Sequence, residues 1–178
     1  MKFRLHKNTE NKKGFILLMA VLISSIILAI SLGVYAISLK EVILASFLKD
    51  SARAFGAADR AVECTLYWDR SAPQNGFPYS IFSSSTLYVV PTGGGGAQPF
   101  CDNQLITDTS ATGWTVTNSP VDTGLTVFSL QYPDGTCADV SVFKESNSTT
   151  TIIGNGYNNC DPNNTRRTQR SIQVQGNF

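Results

Sequence analysis

Hydrophobic and polar positions divide the chain into three blocks. Residues 1–13 carry Lys2, Arg4, Lys7, Lys12 and Lys13 against Glu10 alone. Phe15–Leu39 then runs for 25 residues without a charged side chain. As a helix that run spans roughly 37 Å, and a bilayer core needs only about 20 residues. The run is therefore long enough to cross a membrane with some tilt. The basic stub predicts a cytoplasmic N-terminus and an outward remainder.

The helical pattern continues past Lys40-Glu41. Leu44, Leu48, Ser51, Phe55, Ala58, Val62 and Leu66 recur three or four residues apart, which is one helix face. Ala52, Ala54, Ala57, Ala58 and Ala61 favour helix intrinsically, and Gly56 costs about 1 kcal/mol relative to Ala. Small residues there let another element approach closely. The first proline is Pro73, which predicts a helix end near Trp68–Ser71. One helix of about 55 residues follows, roughly 80 Å long by the rise per residue.

From Asp69 onward Ser, Thr, Asn and Gly dominate, and turn signals recur. Strands are predicted over Ser80–Val90, Gly113–Asn118, Leu125–Tyr132, Cys137–Lys144 and Thr168–Gln175. Pro133-Asp134-Gly135 between two alternating runs is the best hairpin signal in the chain. The Asn- and Gly-rich run 154–164 and Gly93-Gly94-Gly95-Gly96 read as loops. The glycine run lacks the Gly-Lys-Ser/Thr ending of a phosphate cradle. The expected fold class is α+β, with one long helix on an antiparallel sheet of about four strands. Its blocks are a leader over 1–14, a membrane-spanning helix over 15–39, an amphipathic continuation over 40–70 and a β-rich domain over 71–178.

Charge narrows the function. The 178 residues carry a formal net charge of +1, which argues against a protein that works by nucleic-acid electrostatics. The single histidine, His6, argues against a histidine metal site or a catalytic triad. No acid/base pair supports a hydrolase.

The junction Lys12-Lys13-Gly14-Phe15-Ile16-Leu17-Leu18 lies before the apolar run. An ordinary secretory signal is cut after a shorter run, and Val34-Tyr35-Ala36 would be the site for that rival reading. The Gly14–Phe15 junction, with an apolar helix that becomes amphipathic, resembles the class III signal of type IV pilins and secretion pseudopilins. That resemblance is carried by residues 8–69. It implies cleavage after Gly14 by a prepilin peptidase, often with N-methylation of Phe15. It implies helices that pack as a filament core, with Phe15, Met19, Leu44, Leu48, Phe55 and Val62 as core-helix positions, and an outward antiparallel sheet. The family usually has Glu where this chain has Met19, as the fifth residue after the cut. A helix without that carboxylate resembles minor or tip subunits more than a major pilin. Removing the leader takes five of the 14 Lys/Arg and one of the 13 Asp/Glu, so the remaining nine basic and 12 acidic side chains sum to −3. The stub thus serves orientation and processing.

Cys64, Cys101, Cys137 and Cys160 all follow the apolar run. An even count in an exported body reads as two disulfides with three possible pairings. Nearest-neighbour pairing, Cys64–Cys101 with Cys137–Cys160, is preferred; the second would resemble the C-terminal disulfide loop of many pilins. The spacing is too wide for a zinc site. Asp134, Asp139, Asp161 and the neighbouring asparagines suggest calcium only weakly, since no EF-hand pattern exists. Arg166, Arg167 and Arg170 are candidate surface contacts for nucleic acid or another anionic surface, although a solubilising edge strand is the stronger reading. No cofactor is expected and no enzymatic activity. The expected role is a pilus or pseudopilus subunit, minor or at the tip. Its partners would be other pilin subunits, the peptidase and an inner-membrane assembly platform. It would sit in the inner membrane as a precursor and then at the cell surface. The alternative is a single-pass membrane-anchored ectodomain that acts as an adhesion or binding module.

Overall fold

A computed structural model describes residues 12–71, 80–82, 98–119, 123–145 and 149–177. The chain divides into two units, Met1–Phe47 and Leu48–Phe178. Helix α1, Lys12–Ser71, runs for 60 residues and supplies the described part of the first unit. Its end at Ser71 matches the stop predicted before Pro73.

In the second unit seven strands follow: β1 (Phe100–Cys101), β2 (Gln104–Leu105), β3 (Thr115–Ser119), β4 (Thr123–Gln131), β5 (Cys137–Glu145), β6 (Thr149–Tyr157) and β7 (Gln169–Asn177). β1 and β2 form a small hairpin, and β3 to β7 form a five-stranded sheet in sequence order, antiparallel throughout. The class is α+β, as the sequence predicts. Asp102 and Asn103 have φ of 48° and 61°, so the two residues joining β1 to β2 adopt the primed turn that suits strand twist. Gly135, at φ 79°, supplies the left-handed position in the predicted β4–β5 turn.

The sheet has five strands where about four were expected. The addition is β6, which the glycine- and asparagine-rich reading of 154–164 placed in a loop. The predicted strand Ser80–Val90 lies mostly outside the described residues, and its described part, Ser80–Phe82, is not strand. Gly93–Gly96 also lies outside them.

Side-chain alternation selects one face of the sheet. Cross-strand rows such as Phe128–Val140–Gly154–Ile172 and Thr126–Val142–Ile152–Val174 point toward α1. The helix answers with Ala54, Ala57, Ala58, Ala61, Val62, Thr65 and Trp68, all buried. Glycine on β6 makes this contact close. A Cβ on Gly154 would lie 2.5 Å from the Val62 Cγ2 and 3.1 Å from the Ala58 carbonyl oxygen. At one end of the core Phe82, Trp114 and Phe128 stack with centroids 5.6 to 6.2 Å apart.

Candidate functional site

The first unit offers an apolar helical surface. Phe15 is 65% exposed and Met19 46%, and the apolar side chains to Phe47 are exposed around the helix. Among the described residues one helix is long and apolar enough to cross a membrane. All four serines of the run return their hydroxyls to their own helix. Ser24, Ser25, Ser31 and Ser38 donate to the carbonyl oxygens of Val21, Leu22, Ile27 and Val34 at 2.8–3.0 Å. The run therefore presents few unsatisfied polar groups to an apolar surrounding.

The Gly14–Phe15 junction lies in the first turn of α1. That turn has no acidic residue, and Lys12 and Lys13 stand at the positive end of the helix dipole.

The amphipathic stripe is rotated from the predicted one. Val62 is 3% exposed and Leu66 packs against the core, but Leu44, Leu48 and Phe55 are 58%, 58% and 52% exposed. Leu44 and Leu48 precede the segment that packs on the sheet; for Phe55 the reason is the glycine-lined contact with β6. It requires small residues on the sheet side, so the alanines turn inward and Phe55 turns out.

Arginines on α1 hold the β4–β5 turn. Arg53 donates to the Asp134 carbonyl oxygen at 2.6 Å. Arg60 donates to the Asp134 carboxylate at 3.0 Å and the Thr136 hydroxyl at 3.1 Å, and lies 4.1 Å from the centroid of the Tyr132 ring. The Thr136 hydroxyl, with help from its amide and Arg60, holds the Asp134 carboxyl at about 2. Burial pushes the Tyr132 phenol up to about 12, against the lowering effect of Arg60. At the far end of the helix the Lys144 ammonium meets the Asp69 carboxylate at 2.7 Å, with side chains only 12% and 1% exposed. Ser80 also donates to that carboxylate, while Asp69 Oδ2 has no partner among the described residues.

The candidate arginine patch is divided among internal contacts. Arg166 and Arg167 precede β7, so only Arg170 lies on a strand. Arg166 reaches Asp50 at 3.5 Å, Arg170 donates to the Ser51 hydroxyl at 2.7 Å, and Arg167 stacks 3.7 Å over Tyr157. These contacts fasten the β6–β7 connection and the β7 start to the helix and to Tyr157.

Cys64 and Cys101 form the predicted disulfide, with Cα atoms 6.0 Å apart. The Trp68 indole N–H donates to the Phe100 carbonyl oxygen beside it at 3.1 Å. The second predicted disulfide is absent: Cys137 and Cys160 are free thiols. The Cys160 thiol is aimed at the Gly135 carbonyl oxygen at 3.6 Å. Burial, with the Cys160 contact, pushes the Cys137 thiol up to about 12.

The suggested calcium carboxylates have protein partners. Asp134 takes Arg60, Asp139 accepts from Ser129, and Asp161 accepts from the Asn163 amide. Among the described residues no group of three His, Cys, Asp or Glu is arranged to hold a metal. A shallow groove beside the disulfide is lined by Arg60, Glu63, Cys64, Cys101, Asp102 and Tyr132. No protein-family model matches the sequence, and comparison with curated proteins and with solved structures finds no similar chain.

Proposed function

We propose that this chain is a subunit of a type IV pilus or a related pseudopilus, minor or at the tip, cleaved after Gly14 and assembled through α1. The observation that carries the reading is the double use of one helix. Over 54–69 its small residues pack on the sheet, whereas over 15–47 its apolar surface is exposed. An exposed apolar surface of this extent marks a membrane or protein contact.

In this reading the apolar run holds the precursor in the inner membrane with the sheet unit outside. Cleavage by a prepilin peptidase in the first turn of the helix creates a new amino terminus at Phe15. An assembly platform then moves the helix from lipid into a bundle with the helices of other subunits. Phe15–Leu39 contains no carboxylate to neutralise a neighbour's amino terminus. A buried unpaired charge is costly, so the chain suits a few positions in a filament better than every position. The β-rich unit would carry any adhesive contact at the cell surface.

Mass spectrometry of the mature N-terminus tests this reading. A chain beginning at Phe15, methylated or not, is the expected result. Intact Met1 would overturn processing and leave the permanently anchored ectodomain. A start at Ile37 would mean ordinary secretion.

A further inference from the structure

We propose that β7 of one copy of this chain pairs in parallel with β3 of a neighbouring copy, with Val174 opposite Val116. The proposal rests on the filament reading only for its requirement that neighbouring copies point α1 the same way. Copies held side by side in one membrane meet that requirement too.

β3 and β7 are the two edges of the five-stranded sheet, and among the described residues no strand pairs with the outer side of either. Neither edge carries the usual protection of a lysine, a proline or a bulge. The charged residue of β7, Arg170, donates to the Ser51 hydroxyl of α1. The five strands are antiparallel throughout, so the first and the last run the same way. Two copies side by side, with α1 in one direction and on one face, therefore bring β7 of the first against β3 of the second as parallel strands.

The backbone hydrogen bonds decide whether those edges fit. In an antiparallel pair, bonded and non-bonded positions alternate. The Tyr132 amide donates to the Thr136 carbonyl oxygen, so even-numbered residues of β4 bond β5 and odd-numbered ones bond β3. The partners of those odd residues are Thr115, Thr117 and Ser119, which leaves the backbone groups of Val116 and Asn118 pointing away from β4. At the other edge the Asn158 amide donates to the Thr168 carbonyl oxygen, in step with bonded even positions along β7. The backbone groups of Gln173, Gln175 and Asn177 thus point outward. A parallel pair sets a residue with outward groups opposite one whose groups are turned away. Val116 opposite Val174 meets this rule. Its amide would donate to the Gln173 carbonyl oxygen, and its carbonyl oxygen would accept from the Gln175 amide. Asn118 would bridge Gln175 and Asn177 in the same way.

The same parity puts the helices on one face. Val116 and Val174 both pack against the core beneath α1, so their pairing continues the apolar row from one copy into the next. Opposite parity would have turned one helix to the other side of the joined sheet. A register two residues lower would set Asn118 opposite Val174, whereas this one sets it opposite Gly176. Parallel pairing over the five residues of β3 is weak in free solution, but copies held side by side by α1 meet at high effective concentration. The joint is head-to-tail, so a joined pair still offers β3 at one end and β7 at the other.

Cysteine pairs in the full chain, co-expressed in one membrane and oxidised there, test the register. Thr117 and Gln175 are exposed and would stand opposite each other about 4.8 Å apart, within disulfide range. Thr117→Cys with Gln175→Cys is expected to give a dimer whose linked peptide joins 117 to 175. Thr117→Cys with Gln169→Cys, displaced by roughly 20 Å along the strand, should not link. The Gln175 amide faces away from β6, so Gln175→Pro is compatible with its own sheet but removes a donor at the joint. It should abolish the link between Thr115→Cys and Gln173→Cys, which stand opposite in the same register. The proposal is overturned if the 117–175 pair stays monomeric under oxidation, if the 117–169 pair links equally well, or if Gln175→Pro leaves the 115–173 link unchanged. The mature N-terminus separates this proposal from the filament reading. Met1 retained with the 117–175 link formed would sink the filament and uphold the joint; Phe15 without the link would do the reverse.

Discussion

Gly156 lies so close beneath Ala58 that a Cβ added to it would sit 2.9 Å from the Ala58 Cβ and closer still to that residue's amide nitrogen. The obstacle is helix backbone, which cannot rotate away as a side-chain tip can. Gly156→Ala is therefore expected to lift α1 from β6 and destabilise the sheet unit by about 3 kcal/mol, at the upper end of overpacking costs. Denaturant unfolding measures it. Ala58→Gly should not rescue the variant, because the amide nitrogen and the Ala54 carbonyl oxygen remain in place.

A second prediction concerns the Lys144–Asp69 pair. Both side chains are largely buried, and one carboxylate oxygen already has no partner among the described residues. Lys144→Met strands the carboxylate and should cost about 3–5 kcal/mol. Combining it with Asp69→Asn removes the charge and should recover part of that loss. A double-mutant cycle reads the coupling. Additive single effects would show that the pair contributes little.

Acid should weaken the grip of the helix on the β4–β5 turn. Asp134 is held at about 2 in the folded protein against an ordinary 3.8, chiefly by the Thr136 hydroxyl. A depressed folded value means that the stabilisation is present above 3.8 and lost as pH falls through that value toward about 2. Half of the Asp134 side chain is exposed, so the effect is modest. Asp134→Asn should be less stable than the unaltered chain at neutral pH. The gap should close in acid, which denaturant midpoints across pH would show.

The buried and exposed faces of α1 should respond differently to substitution. Val62→Ala removes buried methyls against β6 and should cost about 2 kcal/mol. Phe55 is half exposed, so Phe55→Ala should change the stability of the sheet unit by less than about 0.5 kcal/mol. If α1 packs in a filament, Phe55→Ala should nonetheless reduce filament yield. Unfolding midpoints together with filament counts by electron microscopy check both halves.

The sequence and the structure agree where periodicity is strong. The uncharged run and the proline-free stretch after it mark α1. Alternation around Pro133-Asp134-Gly135 marks β4 and β5. β6 was hidden because Gly154-Asn155-Gly156 has the composition of a turn. Its glycines are there because helix backbone lies above them, a tertiary demand that outweighs strand propensity. The same contact explains the rotated helix face. Hydropathy favours turning Phe55 inward, but the space over Gly156 of β6 is taken up by the helix backbone at Ala54 and Ala58, and Phe55 turns out. Cysteine arithmetic found the Cys64–Cys101 disulfide by proximity in sequence, but the second bridge it expected is not formed: Cys137 and Cys160 are free thiols. It had no means of seeing the Cys160 thiol aimed at the Gly135 carbonyl oxygen instead.

The Cys64–Cys101 bridge joins the last turns of α1 to the first hairpin across 37 positions of chain. A protease that cut once between Ser71 and Phe100 would therefore leave a nicked protein still in one covalent piece, even in denaturant. Separating the sheet from α1 takes a reductant as well as a cut. At a surface exposed to proteases, the disulfide makes that intervening segment expendable for attachment.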